Sequence, residues 1–551
     1  MNFSRKQLAV CLVIIGVVSL IPKLYSIDFS QPLGSDELGF TLRAIDYSHG
    51  DFATTPKQQP GWSLIITPFL FLINSNNLLD YSAIVRILSL VISTVTILPM
   101  YLLARKFFDE KYSLVAAALL AFEPHLNRWG GLGYAEPLYN LVIIGSFYFI
   151  LSNRGKNAYL SFILAGILWW VRLNGIVMIV VVSILYFINF RQTKNTLPKF
   201  FACIGIFFIV ISPILIQRDI QYGDPFYVYY EDSFFTGDYA KMGAENIDET
   251  HGGGAFDYIQ KNGLTHFVEK FIVGGIYHIT VDTAKISFPY LIILVPFGML
   301  FSLRPFDQDK KFIASNWIII IAILGSLAIP YAIVQEYRFL FSLYPFLIVY
   351  ATIPIQRVVK YGFSTFSFSE RQKNISLVIV VGIIFLMGSA FVTRYEKFDK
   401  VEMQEEIAFS KFIENNLRGK LLDAGYTTQY LVDVKLDSLP GIFKTYKIDR
   451  DKTPFQGFPY TTGNVTVTNI YGVSLQDLIS NGEKYNLKYI AVNQKGAIFY
   501  KFLDDVYNNE ERYPYLIKAF DSNEHGFKKF KVKVFEIDYN KFHQMNKVDA
   551  K

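Results

Sequence analysis

Apolar runs follow one another from the N-terminus to Thr393, broken only by short polar loops, and then they stop. From Arg394 to Lys551 no stretch approaches the roughly 17–25 apolar residues that a membrane-spanning helix needs. The chain therefore reads as a polytopic α-helical membrane body, residues 1–393, followed by a soluble α/β domain, residues 394–551. Only 18% of the residues are charged, against about 25% in soluble domains, and the scarcity belongs to the first part. A disordered scaffold, a disulfide-rich secreted module and a coiled coil are excluded by the same composition. The net charge of +6, from 53 basic and 47 acidic residues, is too weak a field to argue for a nucleic-acid partner. Cys11 and Cys203 both lie inside apolar runs, where they pack as small apolar residues and form no cysteine-rich metal site.

Eleven runs are candidate spans: Leu8–Leu24, Tyr81–Ala104, Tyr112–Leu126, Pro137–Leu151, Tyr159–Arg172, Asn174–Phe190, Lys199–Gln217, Ile286–Leu303, Phe312–Val334, Arg338–Ile355 and Ile375–Thr393. The first follows Arg5-Lys6 and lacks a small-residue cleavage site, so it reads as a retained signal anchor. Residues 159–190 would make one helix of about 48 Å, longer than a hydrocarbon core of about 30 Å. Arg172 interrupts the run, and basic flanks on both sides place its two ends on the same side of the membrane, so it divides into two helices. Trp62–Ile73 is too short to span and reads as an interfacial or re-entrant helix. With these choices the positive-inside rule puts the N-terminus in the cytoplasm. It puts loops 26–80 and 218–285 and the C-terminal domain outside, in a multi-pass cell-membrane protein.

Charge then collects on the outer face. Gly34-Ser35-Asp36-Glu37 follows the first span. Adjacent carboxylates there suit a general base and an orienting partner; on local sequence alone Asp36 reads more readily as the cap of a helix starting near Leu38. The next outer loop runs Glu123-Pro124-His125-Leu126-Asn127-Arg128-Trp129-Gly130-Gly131-Leu132-Gly133-Tyr134-Ala135-Glu136-Pro137. Arg128 suits a phosphate, and Glu136 at a helix start suits a sugar hydroxyl or Arg128 itself. The alternative is an Arg128–Glu136 ion pair tying two helix ends together. Gln335-Glu336-Tyr337-Arg338 opens the tenth span and places Arg338 at headgroup depth, either meeting a lipid phosphate or snorkelling to the interface. No glycine-rich nucleotide-phosphate loop is present.

The order of these parts resembles the GT-C integral-membrane glycosyltransferases, and among them the protein O-mannosyltransferase and aminoarabinose transferase group. Asp36-Glu37 after the first helix, Gly50-Asp51-Phe52, Gln59-Pro60-Gly61-Trp62, Arg128 with Glu136-Pro137, and Tyr337-Arg338-Phe339-Leu340 with Pro345 carry the likeness, over roughly residues 1–355. Gln59 stands where many members have Lys or His, and Lys57 is the nearest base. The Trp-Trp-Asp signature of oligosaccharyltransferases is absent, since Trp169-Trp170 is followed by Val171-Arg172.

The resemblance implies transfer of a mannose-like or related hexose from a polyprenyl- or dolichyl-phosphate carrier to a protein, lipid or glycan hydroxyl, with inversion. It makes Asp36 and Glu37 the catalytic pair. It places Lys57, Gln59, Arg128, Glu136, Glu336 and Arg338 on the substrate or its lipid phosphate. It implies no cofactor and a metal-independent reaction, with a divalent cation left open. A transporter or lipid-linked glycan flippase is the competing class, but such proteins carry ionisable residues near the bilayer midplane and internal repeats.

Overall fold

The computed structural model describes residues 4–31, 33–50, 52, 59–73, 78–152, 154–191, 195–226, 235, 254–304, 307–395, 400–423, 460–462, 464–468, 470, 472, 474–494 and 500–549. Helix α1, Arg5–Tyr25, starts on a capping box in which Ser4 and Gln7 exchange hydrogen bonds. Helix α2, Ser35–Ser48, carries Asp36 and Glu37 in its first turn. Its cap is Gly34, without a side-chain hydrogen bond, so Asp36 is not the capping residue. Its charge faces the positive end of the helix dipole instead. Helix α3, Gly61–Ile66, continues as a 3-10 turn over Thr67–Leu72. The short apolar helix read at residues 62–73 is therefore present.

Among the described residues seven helices are long and apolar enough to cross a membrane. The count is eight if Leu264–Ile286 and Leu291–Ser302, bent by 117° at their junction, make one span. The difference between eleven and seven arises at four places. The runs at 112–126, 137–151 and 159–172 form helices Glu110–Ala121, Glu136–Ile150 and Gly155–Val171, of 12, 15 and 17 residues. At about 1.5 Å per residue the first two are much shorter than the bilayer core. The run at 286–303 forms the second arm of the bent pair. The division at Arg172 is as read: the helix ends at Val171, Arg172 is extended, and residues 173–190 resume as a second helix.

Burial separates the helices. In the segment Tyr337–Thr365, 94% of the apolar window is enclosed by protein, against 17% in α1 and 22% in Glu370–Arg394. The helix that Arg338 opens is thus the centre of the body, and its neighbours turn much of their surface outward. The apolar helices and this arrangement make a multi-span membrane protein.

Residues 400–549 hold a mixed six-stranded sheet: β1 Gly419–Asp423, β2 Tyr460–Thr462, β3 Val465–Thr468, β4 Leu487–Asn493, β5 Leu516–Asp521 and β6 Val532–Ile537. The strand order is β2-β3-β1-β4-β6-β5, with β3, β1 and β4 parallel. Side chains alternate with the pleat. Leu421, Tyr489, Ala491, Val532 and Val534 join the cluster under the helix Lys400–Asn416. Leu422, Ile490, Val492, Phe535 and Ile537 join the other, with Leu478, Val506 and Phe542 from three further helices. A register shift between Lys518 and Phe520 breaks the alternation in β5 and sends Phe520 to the first face, where its ring lies 4.5 Å from Phe412.

Glu405 fastens that helix to the sheet. Its carboxylate accepts backbone N–H bonds from Lys528 at 2.7 Å and from Lys529 and Phe530 at 2.8 Å. Burial opposes the charge, but the three N–H groups prevail and hold the carboxyl below the usual range. A depressed carboxylate contributes stability above its unfolded pKa and loses it as pH falls through the folded one. Glu405→Gln is expected to cost about 2 kcal/mol at neutral pH, less whatever solvent screens at this partly exposed site. Thermal unfolding of the purified chain should show a gap between variant and parent that closes on acidification. A gap independent of pH would overturn the assignment.

Candidate active site

Two polar segments are pinned before any catalytic group is placed. Arg86 donates to the carbonyls of Asp28 (2.8 Å) and Gln31, and the N–H of Leu33 donates to Ser82 Oγ at 3.2 Å. These bonds fix the approach to α2. The second segment is held by Ser89 Oγ, which donates to the Gly130 carbonyl at 2.9 Å, and by Trp62 Nε1, which donates to the Gly133 carbonyl at 2.7 Å. Gly133 takes φ +100° there, a conformation that side chains disfavour. Gly61 permits the approach of Trp62, since a Cβ at residue 61 would lie 2.6 Å from the Trp170 carbonyl oxygen.

Between these segments the first turn of α2 meets the start of the central helix. Arg338 Nη1 contacts Asp36 Oδ2 at 2.6 Å, and Nε donates to Glu336. One guanidinium therefore joins Asp36 to Glu336. Asp36 is 41% exposed and Glu336 39%, while Arg338 is at 15%: the cation is enclosed and the two carboxylates face the opening.

Glu37 behaves differently. It is buried, its Oε2 has no hydrogen-bond partner, and the Tyr134 hydroxyl donates to its carboxylate. Burial pushes its pKa up to about 8, with the negative charge of Asp36 adding to the effect and Tyr134 and Arg338 opposing it. The adjacent carboxylates thus divide into a half-exposed Asp36 and an enclosed Glu37 whose burial favours the neutral form. The Tyr134 ring lies 5.1 Å from the Arg338 guanidinium, so this phenol touches both halves of the site. Burial raises its own pKa.

The remaining sequence candidates scatter. Glu136 is buried and pairs with Arg172, not with Arg128. The Arg172 guanidinium also covers the Phe339 ring at 4.9 Å, which brings the Glu136–Arg172 pair beside Arg338. Arg128 packs over Trp129 at 5.8 Å. Its charge adds to burial in pushing His125 down to about 4. Gln59 is buried, with Oε1 lacking a hydrogen-bond partner. Lys57 lies outside the described residues. Glu123 is a helix cap, its Oε2 accepting from the Leu126 N–H at 2.5 Å. Among the described residues no group of three or more His, Cys, Asp or Glu is placed to hold a metal ion.

Two members of the site were not assigned roles in the sequence reading. Arg172 was visible as a charge inside an apolar run, and such a charge implies a partner. Tyr134 sent no signal of its own, because only the fold brings residues 37, 134 and 338 together.

The architecture is shared with proteins of known structure. The oligosaccharyltransferase of Archaeoglobus fulgidus in its apo form superposes with a TM-score of 0.57 at 12% identity, over 90% of this chain and 70% of that one. ArnT from Cupriavidus metallidurans in the apo state gives 0.55 at 11% identity, over 95% of this chain and 97% of that one. The chain has the GT-C fold. Residues 60–216 also match the family model of dolichyl-phosphate-mannose-protein mannosyltransferase, and no curated protein matches the chain. Related structures show the Archaeoglobus enzyme with an inhibitory peptide and a dolichol-phosphate (TM-score 0.54, 12% identity, 89% of this chain and 69% of that one). ArnT is also known bound to undecaprenyl phosphate (TM-score 0.52, 11% identity, 95% and 97%). In this GT-C chain the matched segment supplies Tyr134, Glu136 and Arg172, whereas Asp36 and Arg338 lie on either side of it.

Proposed function

We propose that the chain is an integral-membrane glycosyltransferase that moves a sugar from a polyprenyl-phosphate carrier to a hydroxyl of a protein, lipid or glycan. The reading places the reaction on the extracytoplasmic face, with inversion at the anomeric carbon and without a metal; the sugar is a hexose or a close relative. The single observation that carries it is the Asp36–Arg338–Glu336 arrangement, an enclosed guanidinium flanked by an open carboxylate, at the mouth of a membrane body. Arg338 stabilises the departing lipid phosphate by charge-assisted hydrogen bonds. Asp36 takes the proton of the attacking hydroxyl. Glu37, neutral below about pH 8, adds no second charge beside the leaving phosphate. Both structural neighbours hold lipid phosphates, which supports a donor of that class.

The test uses purified protein with radiolabelled polyprenyl-phosphate sugars and a hydroxyl-bearing acceptor. Label should pass to the acceptor and free polyprenyl phosphate should appear, at a rate unchanged by EDTA. Label that crosses a vesicle wall with its carrier bond intact would instead make the protein a transporter.

Glu37 yields a pH prediction. As pH rises through about 8 its carboxyl ionises next to Asp36 and the rate falls. Glu37→Gln, which keeps the shape and fixes the charge at zero, should retain most activity at neutral pH and lose the alkaline decline. An unchanged decline in that variant would assign it to another group.

A further inference from the structure

A small cavity next to the proposed site is lined by Lys23, Ser93, Thr96, Trp129, Glu136 and Asn140, and its volume is about 30 Å³. Lys23 stands in the last turn of α1 and is 2% exposed. Its Nζ makes one hydrogen bond, to Thr94 Oγ1 at 3.3 Å, and among the described residues no carboxylate lies within ion-pair reach of it. An ammonium has three protons to donate, so its capacity is mostly unspent. Glu136 is on the wall, but Arg172 already neutralises it.

We propose that this cavity binds an anionic substituent of the substrate, a carboxylate on the sugar being transferred. This rests on the glycosyltransferase reading and deepens it by naming the class of sugar. A lysine enclosed in a membrane body is costly unless a partner meets it, and the wall offers no uncommitted counter-charge. The size agrees, because a cavity of this volume accommodates roughly two water molecules, about the room a carboxylate occupies and far less than a whole sugar. The position agrees as well. Trp129, on the cavity wall, packs 4.9 Å from Tyr134, whose ring is 5.1 Å from the Arg338 guanidinium. A donor with its phosphate at Arg338 would carry its sugar towards Lys23. Lys23 is then a specificity-determining residue.

Equilibrium binding to the purified full chain tests this with three probes: polyprenyl-phosphate glucuronic acid, polyprenyl-phosphate glucose and polyprenyl phosphate alone. The acid should bind about tenfold more tightly than the glucose donor, the margin of one hydrogen-bonded charge. Lys23→Met, suited to an apolar helix, should erase that margin and leave glucose-donor binding as it was; Lys23→Arg should keep most of it. Equal binding of the two donors by the parent, or a margin that survives in Lys23→Met, would overturn the proposal while leaving the glycosyltransferase reading standing. A dependence on Lys23 found only with carboxylate-bearing acceptors would overturn it too. Failure of polyprenyl phosphate itself to bind would overturn the glycosyltransferase reading, and this proposal with it.

Discussion

Asp36→Asn is expected to lower transfer by about 10²–10⁴-fold, the range a positioned general base contributes. The substitution keeps the size of the side chain and removes its basicity. Asp36 lies partly exposed at the start of α2 and caps no helix, so its change disturbs little packing. Arg338 loses one charged contact and retains Glu336. Initial rates should therefore collapse while the thermal unfolding of the purified chain and its affinity for polyprenyl phosphate stay near those of the parent. Transfer within a few-fold of the parent would remove Asp36 from the role of base.

Arg338→Lys is the second large effect, about 10²–10³-fold in rate, the loss that follows removal of one preorganised donor to developing charge. The charge is conserved, so the result isolates geometry. Arg338 uses Nη1 for Asp36 and Nε for Glu336 while its plane covers Tyr134 and Phe339, at 5.1 and 5.7 Å. A lysine ammonium is a point donor that cannot reproduce this fork or the stack. Affinity for polyprenyl phosphate should fall together with the rate, which separates this variant from Asp36→Asn. A lysine enzyme with normal rate and affinity would show that any cation suffices.

Charge scarcity is what made the centre of the site legible. In a body of apolar helices, Asp36, Glu37 and Arg338 stand out, and the structure brings all three together with Glu336. Position in sequence said less about pairing. Glu136 was matched with Arg128, its loop neighbour, yet it meets Arg172 from the next helix pair, because helix Glu136–Ile150 packs beside Gly155–Val171 and brings their ends together. Glu37 and Asp36 look alike in sequence and differ only through burial, which depends on the whole assembly. The membrane count was the least legible feature. Three of the apolar runs form helices of 12, 15 and 17 residues, and burial in protein selects for the same residues as burial in lipid.

The Asp36–Arg338 bond also sets a condition on biosynthesis. It joins the first turn of α2 to the start of one of the last membrane helices to leave the ribosome. A nascent chain holding everything up to residue 337 has its carboxylates in place and no guanidinium to meet them. With the proposed roles, truncated products are expected to transfer no sugar, and the segment 60–216 expressed alone would contain neither end of the pair.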